Sequence, residues 1–136
     1  MNPAQKQFSL NGAASRKQIP ISNLQGRVLV TGGSGFIGTN LMELLPQRFA
    51  AVMNLDLTPP LMAAQNQYWK QADIMDPAGL VEAFRAFAPS HVIHLAARCD
   101  CDENTTVEKG YRVNTEGTAN VLAAIKAVPD IQRAVI

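Results

Sequence analysis

The residues with the clearest chemical potential are glycines. Thr31-Gly-Gly-Ser-Gly-Phe-Ile-Gly38 satisfies G-x-G-x-x-G through Gly33, Gly35 and Gly38, and G-x-x-G-x-x-G through Gly32, Gly35 and Gly38. Glycines permit a tight turn and leave no Cβ between a bound pyrophosphate and the backbone. A helix opening directly after them adds free N–H groups and a partial positive charge. A plain glycine turn matches the same pattern, but the context here is more specific. The apolar run Arg27-Val-Leu-Val-Thr31 precedes the turn and an amphipathic segment follows it. A P-loop is excluded, because Thr39 follows Gly38 where that fingerprint needs Lys. Asp56 lies 18 residues after Gly38, at the end of a second apolar run. A carboxylate there accepts from ribose hydroxyls and repels a 2′-phosphate. Residues 57–69 hold no Arg or Lys to receive such a phosphate, so NAD is favoured over NADP. A solvated strand-end acid is the plainer reading of Asp56 taken alone.

These residues need strands and helices to position them. Arg27–Thr31 reads as a buried strand. Phe36 to Leu45 reads as a helix, with Ile37, Leu41, Leu44 and Leu45 at helical spacing and Pro46 stopping it. Ala50 to Leu55 is a second strand, and Thr58-Pro59-Pro60 breaks the chain after it. Tyr68 to Ala72 is a weaker, shorter strand candidate. Asp76-Pro77 opens a helix as cap and first residue, with Leu80, Phe84 and Phe87 along one face. His91 to Leu95 is another strand, and 98–106 a polar, acidic loop. A long helix then runs to about Val128, striped by Val113, Gly117, Val121, Ile125 and Val128. Ala134-Val135-Ile136 begins a fifth strand. Such alternation predicts an α/β fold: a doubly wound parallel sheet, most simply in the order 3-2-1-4-5.

Composition agrees. The chain has 136 residues, 47% of them hydrophobic and 17% charged, which suits one domain with a real core. Twelve Lys and Arg against eleven Asp and Glu give +1, which points to no nucleic-acid partner. No apolar run approaches the roughly 18 residues of a membrane span. Cys99 and Cys101 make no disulfide framework, which fits a reducing, cytoplasmic setting. As Cys-x-Cys they supply two of the about four ligands a metal needs, so no metal site is expected. Residues 1–26 contain Lys6, Arg16 and Lys17 but no acid and no apolar core of signal-peptide length. They read as a flexible arm ahead of a domain at 27–136.

Taken together, Thr31–Gly38, Asp56, Asp73-Ile74, His94-Leu-Ala-Ala97 and Asn114-Thr-Glu-Gly-Thr118 resemble, in order and spacing, the extended short-chain dehydrogenases/reductases. Within that superfamily the likeness is to the NAD-dependent epimerase/dehydratase group, over about residues 27–136. The resemblance implies the N-terminal part of a Rossmann-like NAD(P)-binding domain. Its cofactor contacts would come from Gly32, Gly33, Gly35, Phe36, Ile37, Gly38, Asp56, Asp73, Ile74, Leu95, Ala96 and Ala97. Asp73 would accept from the adenine amino group and the Ile74 N–H would donate beside it. The backbone of Leu95–Ala97 would pass beneath the cofactor, with His94 packed rather than catalytic. Asn114 would support the active-site hydrogen bonds, and Gly117 would allow close packing.

The same resemblance implies a small-molecule substrate of the nucleotide-sugar class and leaves a homo-oligomer open. The family's chemistry uses a Tyr-x-x-x-Lys pair with a nearby Ser or Thr. Here Tyr68 is followed at four by Ala72, and Tyr111 by Thr115. The pair is therefore expected beyond Ile136, and these 136 residues are expected not to transfer hydride alone. Two alternatives stay open: a non-catalytic dinucleotide-binding module of the same superfamily, and a methyltransferase using the glycine turn for an adenosyl ligand. The methyltransferase leaves Asp73-Ile74 and His94–Ala97 unexplained.

Overall fold

The computed structural model describes residues 24–98 and 106–136. Cys99, Cys101 and most of the arm lie outside the described residues. Five strands form one parallel sheet in the order β3-β2-β1-β4-β5, the order the alternation predicts. The strands are β1 (Leu24–Thr31), β2 (Phe49–Asp56), β3 (Trp69–Gln71), β4 (His91–His94) and β5 (Arg133–Val135). The helices are α1 (Phe36–Leu44), α2 (Pro77–Phe87) and α3 (Val107–Lys126).

The alternate faces of β1 explain the layering. Val28 and Val30 point to one side, where they pack with Met42 and Leu45. Leu29 points to the other, into a larger cluster with Leu55, Leu80, Phe84, Val92, Val121 and Ala124. So α1 covers one face and α2 with α3 cover the other. Val28, Leu29, Val30 and Thr31 of central β1 are buried from both sides, which is why that strand reads as an apolar run rather than an alternating one; in β4 Val92 is fully buried and its neighbours half-buried. A fully buried side chain such as Phe84 or Leu29 contributes about 1.5–3 kcal/mol relative to exposure.

Several boundaries differ from expectation, each for a physical reason. β1 begins at Leu24, three residues inside the segment read as an arm. Its register with β2 shifts between Leu24 and Arg27. The first helix ends at Leu44, and Leu45–Gln47 continue as a 3-10 turn that holds Pro46 near its start. Proline has no N–H to give but is tolerated in a first turn. Ala63–Tyr68 forms a 3-10 helix between β2 and β3, so Tyr68 belongs to it and the third strand shrinks to Trp69–Gln71. Leu95 lies just past β4, and Val128 is buried but beyond the end of α3. The start of α2 is as expected, with the Asp76 carboxylate accepting from the Gly79 N–H at 3.1 Å and Pro77 next.

Candidate functional site

β1 and β2 end side by side with the turn between β1 and α1. Gly32 sits at φ +76°, and a Cβ there would collide with the Ala96 backbone. Gly33 and Gly38 are packing positions too. A side chain on Gly33 would strike Asn54, and one on Gly38 would meet the backbone of Gly32 and Gly33. Gly35 is different: its nearest neighbour would be the Gly32 carbonyl at 3.5 Å, ordinary contact distance. Nothing in the fold itself requires glycine there. Gly35 is the N-cap of α1 and brings no side-chain cap, so the first-turn N–H groups of α1 receive none.

The turn is held from β2. The Asn54 side chain, fully buried, accepts from the Gly33 N–H at 2.9 Å and donates to Ser34 Oγ at 3.1 Å. Ser34 Oγ in turn donates to the Thr58 carbonyl at 2.8 Å. Asp56 Oδ2 accepts from the Ser34 N–H at 3.0 Å, and its Oδ1 accepts from the Thr58 N–H and hydroxyl at 3.1 and 3.2 Å. Asp56 is thus a structural anchor of the turn as well as a candidate ligand group. A carboxylate offers about four lone-pair sites. Three donors occupy it here, which leaves room at Oδ2.

A second wall comes from the segment after β4. The Leu95 N–H donates to the Thr31 carbonyl at 2.8 Å. Asn114 on α3 grips the Arg98 backbone twice, accepting from its N–H at 2.7 Å and donating to its carbonyl at 3.1 Å. His94 lies between Thr31 Oγ1 at 2.6 Å and Thr118 Oγ1 at 2.9 Å, one partner on each ring nitrogen. Burial lowers its pKa below the ordinary 6.5. It is packed and hydrogen-bonded between β1 and α3.

These walls enclose a cavity of about 660 Å³. Of the residues expected from sequence, Gly32, Gly35, Asp56, Asp73, Ile74, Leu95, Ala96 and Ala97 line it. Gly33 and Gly38 stand behind it. Phe36 and Ile37 do not line it; their side chains are 89% and 65% exposed on the first turn of α1. Sequence reasoning missed Ser34, Thr58 and Val113 in the lining, and Asn54 behind it. Asn54 carried a signal: an amide inside an apolar strand, two residues before Asp56 and so on the same side of the pleat. Asp73 Oδ1 accepts from the Met75 N–H at 2.8 Å and shapes the turn after β3.

The residues fit a dinucleotide on this structure's own geometry. A glycine that the fold does not need opens the cavity at a helix N-terminus. An acid stands at the end of the adjacent strand, and small residues line the far side.

Residues 28–136 match the NAD dependent epimerase/dehydratase family. The chain is 39% identical over 106 residues to a probable dTDP-glucose 4,6-dehydratase of Sinorhizobium fredii, covering 71% of this chain and 30% of that protein. It is 38% identical over 105 residues to a 3-beta-hydroxysteroid dehydrogenase of Mycolicibacterium neoaurum, covering 73% and 28%. Among solved structures, it resembles UDP-glucose 4-epimerase from Brucella ovis in complex with NAD. The TM-score is 0.61 and the identity 36%, over 76% of this chain and 33% of that one. It also resembles the Bordetella bronchiseptica enzyme WbmG in complex with NAD. There the TM-score is 0.64 and the identity 28%, over 85% and 38%. The chain spans about 30% of the length of these curated relatives. The chain belongs to the NAD-dependent epimerase/dehydratase family.

Proposed function

We propose that this chain binds the adenosine and pyrophosphate of NAD for a nucleotide-sugar epimerase, dehydratase or reductase. The observation that carries the reading is Gly35: a glycine with room for a side chain, standing where α1 opens onto the cavity. The backbone of Gly32–Gly38 would hold the pyrophosphate and Asp56 the adenosine ribose. Asp73 and Ile74 would meet the purine, and Leu95–Ala97 would pass beneath the middle of the cofactor. The chemistry NAD supplies when bound is reversible acceptance of a hydride. The chain's own residues bind, orient and exclude water.

The nucleotide-sugar class is supported by the dehydratase relative and by a WbmG structure with NAD and UDP. A second reading, a hydroxysteroid dehydrogenase, rests on the nearly equal identity to the Mycolicibacterium enzyme. The shared region is the cofactor half, where relatives with different substrates are expected to be alike. Assay of the whole protein with nucleotide sugars and with hydroxysteroids separates the two.

Calorimetry with NAD and NADP tests the cofactor. NAD should bind more tightly. Asp56→Ala should weaken NAD by about 1–3 kcal/mol, the scale of hydrogen bonds to a charged group. NADP binding as tight as NAD would sink the assignment.

A further inference from the structure

Helix α3 holds both flanks of the cavity. Asn114 grips the segment after β4 at Arg98, and Thr118, four residues on, meets His94 at the end of β4. Beside them, the same helix reaches the opposite flank. Asn120 Nδ2 donates to the Ile74 carbonyl at 3.0 Å, across 46 positions of sequence. Gly117 brings the helix close to the same residue: a Cβ there would fall 2.5 Å from Ile74 Cδ1. Ile74 is buried and lines the cavity next to Asp73.

A dinucleotide crosses the sheet where the strand order reverses, and the acid at the end of β2 marks its adenosine ribose. The purine then lies beyond Asp56, against the turn that follows β3. We propose that Asn120 is a positioning residue for purine recognition. Its hold on the Ile74 carbonyl fixes the Asp73–Ile74 segment, so that the Asp73 carboxylate and the Ile74 N–H present an acceptor and a donor side by side. That pair complements the amino group and N1 of a 6-aminopurine. Hypoxanthine, with a carbonyl and an N1–H, presents the reverse pattern. The inference rests on the cofactor reading above.

The test compares NAD with its hypoxanthine analogue by calorimetry, using the full chain and Asn120→Leu, with circular dichroism as the fold control. The wild type should prefer NAD by about tenfold or more, because mismatched donors and acceptors stay unpaired. Asn120→Leu should weaken NAD by about five- to tenfold, the scale of one hydrogen bond, and leave the analogue nearly unchanged, so that the ratio collapses. A merely structural role would weaken both ligands equally, and a preserved ratio overturns the proposal; so does unchanged NAD affinity. If Asn120→Leu fails to fold, Asn120→Ala takes its place, since it removes the same bond to the Ile74 carbonyl with a smaller apolar side chain. The ratio should again fall, and an unchanged ratio overturns the proposal. A wild type that binds both ligands equally overturns purine positioning alone. One that binds neither overturns the cofactor reading beneath it.

Discussion

The two walls of the cavity are made differently. The turn between β1 and α1 is built from glycines and locked from β2, the next strand along the chain, by the fully buried Asn54 together with the half-buried Asp56. The segment 95–98 after β4 is built from Leu95, Ala96, Ala97 and Arg98 and is held by the half-buried Asn114 of α3, while Thr118 of the same helix meets His94 at the end of β4. Anchors sealed from water make one geometry and tolerate little. Partly solvated anchors can exchange a lost partner for water, so their removal costs less. The turn should therefore be the rigid reference of the site and the segment after β4 its adjustable side.

The largest expected effect lies within the turn and separates its glycines. Gly35→Val has room in the fold, at a backbone conformation (φ −73°, ψ 178°) that valine adopts readily. It should melt close to the wild type yet lose NAD binding by about a hundredfold or more, since a branched side chain fills the space the pyrophosphate needs. Gly38→Val meets backbone and should lose the fold instead. Thermal melts with titration read both. A folded Gly35→Val that binds NAD normally would remove the phosphate role from the turn.

This contrast also explains what could be read from the sequence. The turn was legible because its glycines lie close together in the sequence, and because strand and helix signals flank it. The sheet order followed from alternation alone. The anchors were not legible in the same way. Asn120 reaches Ile74 and Thr118 reaches His94 only once α3 is laid on the sheet. The 3-10 helix at Ala63–Tyr68 escaped because two short turns carry no apolar periodicity. Phe36 and Ile37, which the motif names as contacts, stand exposed on the first turn of α1, outside the cavity lining.

A pair of anchor deletions gives the middle-sized effect and tests burial as its cause. Asn54→Leu strips the buried Gly33 N–H of its acceptor and Ser34 Oγ of a donor, and should cost about 1–3 kcal/mol of stability. Asn114→Ala removes two bonds to the Arg98 backbone, where water can enter, and should cost about 1 kcal/mol or less. Urea unfolding of both variants decides. If Asn114→Ala proved the costlier, the segment after β4 would be the rigid wall and the comparison would reverse.

The smallest effect is a pH dependence confined to the second wall. His94 bonds one hydroxyl at each ring nitrogen, an arrangement a neutral ring satisfies as donor on one side and acceptor on the other. Charging it requires both hydroxyls to accept and a half-buried cation to go without much of its water, which is why its pKa in the fold lies below 6.5. The unfolded chain, with the ordinary value, then binds more protons than the folded one as pH falls. The stability contribution is complete above about pH 6.5 and drains away below it, down to the lower pKa of the folded protein. One proton limits the slope to about 1.4 kcal/mol per pH unit, and partial solvation of the ring reduces it further. His94→Gln keeps a neutral hydrogen-bonding group and removes the titration. Urea midpoints for the two proteins from pH 7.5 to 5 should converge as the wild type loses its advantage. Parallel lines across that range would mean that His94 at the end of β4 takes up no proton there, and that the second wall is as unyielding as the first.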